Sequence, residues 1–329
     1  MKKTLILLAL LAILRPVSLL AQEDYPKGSP IGRIFADYRY SINSDDEYSG
    51  FGVSRAWLGY KFSIDENFSA QIIVDIGSPL GNEDVSAKRY MFIRNALVSY
   101  NKNRLTLSFG VCDERASQTE LKLWGKRYLS SPFLLQYKFA NIADIGFIAD
   151  YKVSDILSLD AAILNGEGYT QIETDNSLKY AFGITITPIR GLIIRGYGDT
   201  NKREEGTKNT LSASLGFVNE KFSLAAGYNY KSDFDWTDGH NTGGFTVFGG
   251  FNLSAKLELF GRFDRLSSQT PDGESEPWNL SKDGSLFITG VQYKVMKQLK
   301  FSVNYQGWNA ADPGDNGWNY IQANAEFRF

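Results

Sequence analysis

The charged side chains of this sequence recur at alternate positions in short segments, a pattern suited to selecting ions rather than cleaving bonds. Hydrolysis by a protein nucleophile needs an activating base, typically a histidine beside a serine. The chain has one histidine, His240, and no serine lies closer to it in sequence than Ser232. We therefore expect no catalytic residues and no enzyme activity.

Carboxylates and glycines offer two further kinds of binding chemistry. The acidic segments 233–238 and 45–47 supply the oxygen ligands that calcium prefers, but neither matches the twelve-residue calcium loop. The glycines of 243–250 lack the lysine and the strand-to-helix context of a phosphate loop. We interpret the acidic segments as solvated charge and the glycines as part of a tightly curved strand. No metal and no cofactor are expected.

Overall charge excludes one class of partner. The chain carries 35 lysines and arginines against 37 aspartates and glutamates, a net charge of −2. Binding to nucleic acid usually requires a strongly basic face, so no nucleic-acid partner is expected. The 31 glycines, 22 Phe, 18 Tyr and 6 Trp are spread along the whole chain, and one cysteine excludes an internal disulfide.

The first 21 residues have the layout of a secretory signal. Lys2 and Lys3 precede an apolar run from Leu5 to Leu14, which a polar break at Arg15 ends. That run is shorter than the roughly 20 residues a membrane-spanning helix needs. We predict a signal peptide over 1–21, cleaved after Ala21, and a short N-terminal segment over 22–30. A retained anchor is the alternative.

The remainder, 31–329, alternates apolar and polar residues with period two, which indicates β-strands with two different faces. In the last segment, 321–329, odd positions are apolar and even positions are polar or charged, apart from Ala323 and Ala325, which are small. A soluble β-sandwich and an outer-membrane β-barrel both satisfy this pattern. They differ in connection lengths, which in the barrel alternate between short turns and long loops.

Connection lengths favour the barrel. We predict sixteen strands separated by seven short turns and eight longer loops, with both termini on the turn side. An even number of strands lets the first and last strands pair and leaves no open edge. The predicted strands are 31–42, 51–63, 67–76, 88–100, 104–111, 142–152, 155–164, 178–188, 191–199, 209–218, 221–231, 244–253, 256–266, 285–295, 298–308 and 318–329.

Several short motifs, in this order, give the chain a resemblance to a known family. They are RAWLGY at 55–60, DEN at 65–67, RNALV at 94–98, WGKRY at 124–128, ADIG at 143–146, NGEG at 165–168 and the terminal Phe329. The sequence resembles a divergent phosphate-selective porin of the O and P group. The resemblance implies a sixteen-stranded outer-membrane barrel, commonly trimeric, whose third loop folds inward and narrows the pore.

The same resemblance implies partners. Phe329 is similar to the terminal aromatic that the outer-membrane barrel-assembly machinery recognises. Outer-membrane lipid, a homotrimer and small anions or other small solutes are the further expected partners. The third loop, predicted over 112–141, is the longest in the chain, and connections longer than about 12–15 residues usually have a function. A large external loop is the alternative.

Strand parity predicts which charges face the lumen, where rings of charge set ion selectivity. The basic candidates are Arg33, Arg39, Arg55, Lys61, Arg195, Arg262, Lys294, Lys300 and Arg328. The acidic candidates are Asp37, Asp75, Asp144, Asp150, Asp160, Asp199, Glu258, Asp264 and Glu326. Nine against nine makes a balanced lumen. In the third loop, the candidate constriction residues are Arg115, Lys122, Lys126 and Arg127, which favours a weak anion preference.

Arg94 is an exception to this parity. It shares its parity with Ala96 and Val98, which would point it toward lipid at a cost of several kcal/mol. Either Arg94 lies at the rim or a bulge shifts the register. With that question open, the sequence predicts a porin for passive diffusion of small hydrophilic solutes. A non-conducting barrel that acts as an adhesin or scaffold is the alternative.

Overall fold

A single antiparallel sheet closes into a barrel of sixteen strands, in which each strand pairs with its neighbours in sequence and β1 pairs with β16. The computed structural model describes residues 26–43, 49–77 and 90–329. The signal peptide, residues 22–25 and the acidic residues 45–47 lie outside the described residues, and the rest of the predicted 22–30 segment belongs to the first strand from Lys27 onward. Within the described part, no helix is long and apolar enough to cross a membrane.

The predicted strands match the observed ones to within a few residues, and the predicted count of sixteen is confirmed. The strands are β1 (Lys27–Asn43), β2 (Ser49–Ser63), β3 (Phe68–Gly77), β4 (Tyr90–Lys102), β5 (Leu105–Asp113), β6 (Ala143–Lys152), β7 (Leu157–Leu164), β8 (Lys179–Ile186), β9 (Leu192–Lys202), β10 (Thr207–Val218), β11 (Phe222–Ser232), β12 (Thr242–Asn252), β13 (Leu257–Ser268), β14 (Gly284–Met296), β15 (Leu299–Ala310) and β16 (Trp318–Arg328).

The fifth loop is shorter than predicted. We expected a loop over 200–208, but β9 and β10 extend to Lys202 and Thr207, which pair directly, and leave only 203–206 as a connection. The polar residues of this segment continue the ladder because one face of these strands borders water rather than lipid. The other turns and loops keep the predicted alternation of short and long.

The first and last strands close the barrel. Arg33 pairs with Arg328, Ala36 with Ala325 and Arg39 with Gln322. Phe329 extends this pairing, since its N–H donates to Gly32 O at 3.0 Å and its O accepts from Gly32 N at 3.1 Å. Closure leaves no strand with unpaired edge groups, which an isolated sheet in a bilayer cannot tolerate.

The outer wall is apolar along every strand. Large side chains such as Phe51, Leu58, Phe109, Leu211 and Val303 are more than half exposed. Alternate residues of the same strands face inward and are polar, for example Asn229, Thr246 and Asn304. An apolar exterior around a polar interior is the arrangement of a barrel that spans the bacterial outer membrane.

A bulge in β4 resolves the position of Arg94. The β3–β4 register shifts so that Ile73 pairs with Asn95 and Val74 with Ile93, which leaves Arg94 as the extra residue. A bulge sets two adjacent residues against one on the partner strand and re-aims their side chains. Arg94 therefore turns inward, where it is 6% exposed. Of the two alternatives, the bulge is the correct one.

Candidate pore constriction

The third loop, residues 114–142, folds into the barrel and packs against the inner wall. It contains two short helices, α1 (Gln118–Trp124) and α2 (Phe133–Gln136). The prediction that this loop turns inward is confirmed, and the external-loop alternative is wrong. The loop begins after Asp113 rather than at Cys112, because β5 continues through both residues.

Apolar side chains hold the loop to the wall. Trp124 packs edge-on against Phe248 and Phe260, with ring centroids 5.5 and 6.1 Å apart. Phe133 and Leu134 are fully buried in a second cluster that includes Leu266. Such aromatic pairs add about 0.5–1.5 kcal/mol each to the free energy gained by burying their surface. The lumen of this barrel therefore contains an apolar core on one side.

Glycines in the wall make room for the loop. A Cβ atom at Gly216 would lie 2.5 Å from Leu123, and one at Gly244 would lie 2.6 Å from Phe133. Real Cβ atoms do not approach other atoms so closely, so any larger residue here would displace the loop. This explains Gly244, one of the glycines that we interpreted from sequence only as part of a curved strand.

Ion pairs attach the loop to the wall at several further points. Lys126 donates to Glu258 at 2.6 Å, Arg115 contacts Asp150 at 2.7 Å, and Glu114 accepts from Lys179 at 2.5 Å. Arg262 donates to the carbonyl of Ser131 at 2.6 Å. Ion pairs of this kind, shielded from bulk water, fix the position of the loop because removing one partner leaves the other charge without a counter-ion.

Glu120 of α1 is a buried carboxyl group of the loop that has no ion-pair partner among the described residues. Its Oε2 accepts from the Leu134 N–H at 3.4 Å, and the side chain lies against Gly227. Burial raises the pKa of Glu120 to about 7, although Arg262 opposes this rise. Asp264 reinforces the rise, and the backbone N–H of Leu134 opposes it.

The raised pKa predicts that loop attachment weakens with rising pH. Glu120 holds its proton more tightly in the folded chain, so its stabilising contribution is complete at pH values below about 4.5 and is lost as the pH rises through 7. The loss is on the order of 3 kcal/mol. We expect the thermal unfolding temperature, followed by the heat-dependent gel shift of the barrel, to fall between pH 5 and 8. In Glu120→Gln this fall should be smaller, and an equal fall in both proteins would exclude Glu120 as its source.

The loop leaves two water-accessible spaces in the lumen. The outer vestibule, on the side of the long loops, has a volume of about 650 Å³, and the inner vestibule, on the side of the short turns, has about 700 Å³. Arg127 of the third loop lines both spaces. We take this residue and the facing wall of β1 to β4 as the candidate constriction between them.

Three guanidinium groups surround one indole at the constriction. The Cζ atoms of Arg94, Arg33 and Arg127 lie 4.5, 4.9 and 5.0 Å from the centre of the Trp57 ring. Cations are attracted to an aromatic face, which offsets part of their mutual repulsion. Burial, together with the charges of Arg94 and Arg55, lowers the pKa of Arg127 to about 9. Arg127 thus remains charged at neutral pH, and in the described part of the chain it has no carboxylate within ion-pair distance.

Most acidic lumen candidates are neutralised by ion pairs. Within the described residues, seven of the nine have a basic partner within 4 Å: Asp75, Asp144, Asp150, Asp160, Glu258, Asp264 and Glu326. Their partners include Arg55, Arg195, Arg262 and Lys300. Arg195 and Arg262 face inward as predicted, but the third loop covers them, so neither borders the open water space.

The charged residues that line the two vestibules are mainly basic. The outer vestibule has the cations Arg55, Arg127, Lys138, Lys179, Arg203, Lys208 and Lys231, against the acids Glu167, Asp199 and Asp235. The inner vestibule has the cations Arg33, Arg94, Lys122, Arg127, Lys297, Lys300 and Arg328, against the acids Asp113 and Glu326. The balance of nine against nine inferred from parity therefore does not describe the surface that a solute meets.

Some of the remaining predicted site residues border water, and others contact the barrel wall. Lys122 and Arg127 border water, whereas Arg115 and Lys126 are paired with the wall. Lys61 and Lys294 are exposed near the turn side, and Arg39 lies over the Tyr320 ring at 4.9 Å. Sequence reasoning missed Lys179, Lys208 and Lys231. Lys231 has the same inward-facing parity as Asn229, which could have identified it as a lumen residue. Lys208 could have been identified if β10 had been predicted to begin at Thr207.

No protein-family model and no curated protein sequence matches the chain. Solved structures do match it over almost its whole length. OmpF of Salmonella typhi, in complex with daunomycin, aligns with 94% of this chain and 99% of its own, with a TM-score of 0.69 and 12% identity. The chain has the fold of outer-membrane porins.

Two further structures agree. A loop L8 deletion mutant of OmpT, an outer-membrane protein of Vibrio cholerae, aligns with 93% of this chain and 100% of its own, with a TM-score of 0.67 and 14% identity. The outer-membrane channel DcaP of Acinetobacter baumannii aligns with 94% and 99%, with a TM-score of 0.63 and 13% identity. At these identities the likeness establishes the barrel architecture.

Proposed function

We propose that the protein is a porin that conducts small hydrophilic solutes across the outer membrane and prefers anions. The observation that supports this most directly is the placement of Arg127. It borders both vestibules, faces the Arg33, Arg94 and Trp57 side chains, and lies in a lumen whose water-exposed charges are mainly basic. Water in such a pore screens charge less than bulk water does, so a local excess of fixed cations enriches anions.

The basic lining would explain in physical terms why the sequence resembles phosphate-selective porins. Asp150 and Glu258 pair with the third loop, the other paired carboxylates pair with cations of the wall, and the unpaired cations are left to act on the solute. His240 stacks on Trp278 with ring centroids 4.6 Å apart, so transport without catalysis is the function that we propose.

Two observations support a proposal about how the barrel assembles. We propose that the barrel forms homotrimers and that the strand ending in Phe329 is recognised by the barrel-assembly machinery. One of the OmpT structures that the chain resembles is described as a trimer form, with 13% identity and a TM-score of 0.64. The Phe329 ring is 56% exposed next to Phe327, where a partner can contact it.

Reversal potentials test the proposed function. The refolded protein in a planar bilayer, with a tenfold KCl gradient, should give channels whose reversal potential has the sign expected for chloride permeation. Raising the salt concentration on both sides should reduce the preference, because screening shortens the range of fixed charges. A reversal potential of the opposite sign would contradict the proposed anion preference. The absence of channels would contradict the proposal that the protein is a porin.

A further inference from the structure

We propose that Glu167, Glu173 and Asp175 form a binding site for one calcium ion at the rim of the outer vestibule. All three belong to the long loop between β7 and β8, residues 165–178. One oxygen from each carboxylate lies within 4.8 Å of the other two. The sequence alone predicts no metal here, because only the fold brings Glu167 back to the other two carboxylates. Calcium can bind at this place whether or not the barrel conducts.

Two of these carboxylates have an oxygen without a hydrogen-bond donor. Glu167 Oε2 and Glu173 Oε2 are shielded from water, and neither accepts a hydrogen bond from the residues that the structure describes. The Glu167 side chain is only 8% exposed. A buried acceptor that is left unsatisfied costs free energy, and the cost is larger for a charged group. A cation bound to both oxygens would remove that cost.

The loop backbone fixes the carboxylates through their other oxygens. Glu173 Oε1 accepts hydrogen bonds from the N–H groups of Asp175 and Asn176 at 3.0 and 2.8 Å. Asp175 Oδ1 accepts one from the Ser177 N–H at 2.8 Å. These bonds orient the two side chains and leave Glu173 Oε2 unused. The loop is therefore arranged around the carboxylates before any ion binds.

Arg203 neutralises only part of the acidic charge. Its guanidinium group contacts Glu167 Oε1 and Asp175 Oδ2, each at 2.5 Å. Among the described residues, no other lysine or arginine lies within 4 Å of the three carboxylates. Burial raises the pKa of the Glu167 carboxyl, and the charges of Glu173 and Asp175 add to this rise. One guanidinium group against three carboxylates leaves two negative charges, which a divalent cation would balance.

Ser177 supplies a fourth oxygen beside the cluster. Its side chain is close enough to Asp175 to lower the pKa of that carboxyl. The residue is 8% exposed, yet its hydroxyl oxygen has no hydrogen-bond partner in the described part of the chain. Buried polar groups are normally satisfied, so a hydroxyl without a partner next to an acidic cluster points to a ligand between them.

The type and spacing of the oxygen ligands favour calcium. Glu173, Asp175 and Ser177 occupy alternate positions in the chain, as do the first ligands of the twelve-residue calcium loop. Calcium accepts about six to eight oxygen ligands in flexible geometry, so water can complete a set of four side chains. Magnesium requires a nearly ideal octahedron and gives up its water reluctantly. We expect a Kd in the range of extracellular calcium modules, about 0.1–1 mM.

Bound calcium would tie the loop to the rim of the barrel. Glu167 lines the outer vestibule near the end of β7, whereas Glu173 and Asp175 lie further along the loop. Arg203 holds the same cluster from the connection between β9 and β10. An ion shared by these side chains joins both ends of the loop, and binding to the folded protein alone raises its stability.

Calorimetric titration with calcium chloride tests the site. The refolded protein in detergent, freed of metal with EDTA and dialysed, should bind one calcium ion per chain. Glu173→Gln removes a charged ligand and keeps the shape of the side chain, so affinity should fall by about tenfold or more. Ser177→Ala removes a neutral ligand and should weaken binding less. Glu274→Gln, an exposed acid in the loop between β13 and β14, is the matched control and should bind like the wild type.

The heat-dependent gel shift gives a second readout and shows that each variant is folded. Calcium should raise the unfolding temperature of the wild type and of Glu274→Gln, and raise that of Glu173→Gln less. Absence of saturable calcium binding to the wild type up to about 10 mM, well above the expected range, would overturn the site. Equal affinity in the wild type and Glu173→Gln would also overturn it. Magnesium that binds as tightly as calcium would overturn the assignment of the ion. None of these results bears on whether the barrel conducts.

Discussion

Deleting residues 116–136 should raise single-channel conductance severalfold. This segment contains α1, α2 and Arg127, and it fills the space between the β10–β14 wall and the constriction. A barrel of sixteen strands is wide enough to hold an aqueous channel once the loop is removed. Conductance of the refolded variant in a planar bilayer, compared with the wild type in the same salt, measures the effect.

The control for this deletion is a short deletion in an exposed loop. Residues 273–275 lie in the connection between β13 and β14 and are exposed, so deleting them should leave conductance unchanged. The 116–136 deletion also uncovers Phe248, Phe260 and Ile288, which the loop buries, so folding must be verified by the gel shift. A folded deletion variant that remains silent, as the wild type then also would, would favour a non-conducting adhesin or scaffold.

Replacing Arg127 by glutamate should weaken the preference for anions. The new carboxylate would lie near Arg94 and Arg55, whose charges act on Arg127 in the wild type, and would neutralise part of the remaining basic charge at the narrowest point. The reversal potential in a KCl gradient should therefore move toward zero. The effect should be largest at low salt, where screening is weak.

Lys256→Glu is the matched control for Arg127→Glu. It makes the same kind of charge change in an exposed turn outside both vestibules, so the reversal potential should remain close to that of the wild type. Equal shifts in the two variants would mean that overall charge, rather than the constriction, sets selectivity. An unchanged potential in Arg127→Glu would exclude Arg127 from the conduction path.

The sequence predicted the wall of this protein well because the wall is governed by local rules. Period-two alternation and turn residues place each strand without reference to distant parts of the chain. The exceptions are also local in origin. The bulge at Arg94 required a choice between two registers, and the extended ends of β9 and β10 shortened a predicted loop.

The candidate site was harder to predict because it depends on contacts between distant residues. Parity identifies which side chains face the lumen, but it does not show that Arg262 is covered by Ser131 or that Glu258 is paired with Lys126. Those contacts join residues 131 and 132 positions apart. Only after the third loop is placed does the apparent balance of charge become a basic lining.

The packing of the third loop also has a consequence for the order in which the protein acquires its structure. The loop follows β5, yet Tyr128 binds Gln292 of β14 and Leu129 binds Gln306 of β15, residues 164 and 177 positions further along the chain. During synthesis the loop therefore exists long before its binding surface does. Its apolar side chains can reach these partners only once β14 and β15 are in place, and we expect contacts of such high sequence separation to form slowly.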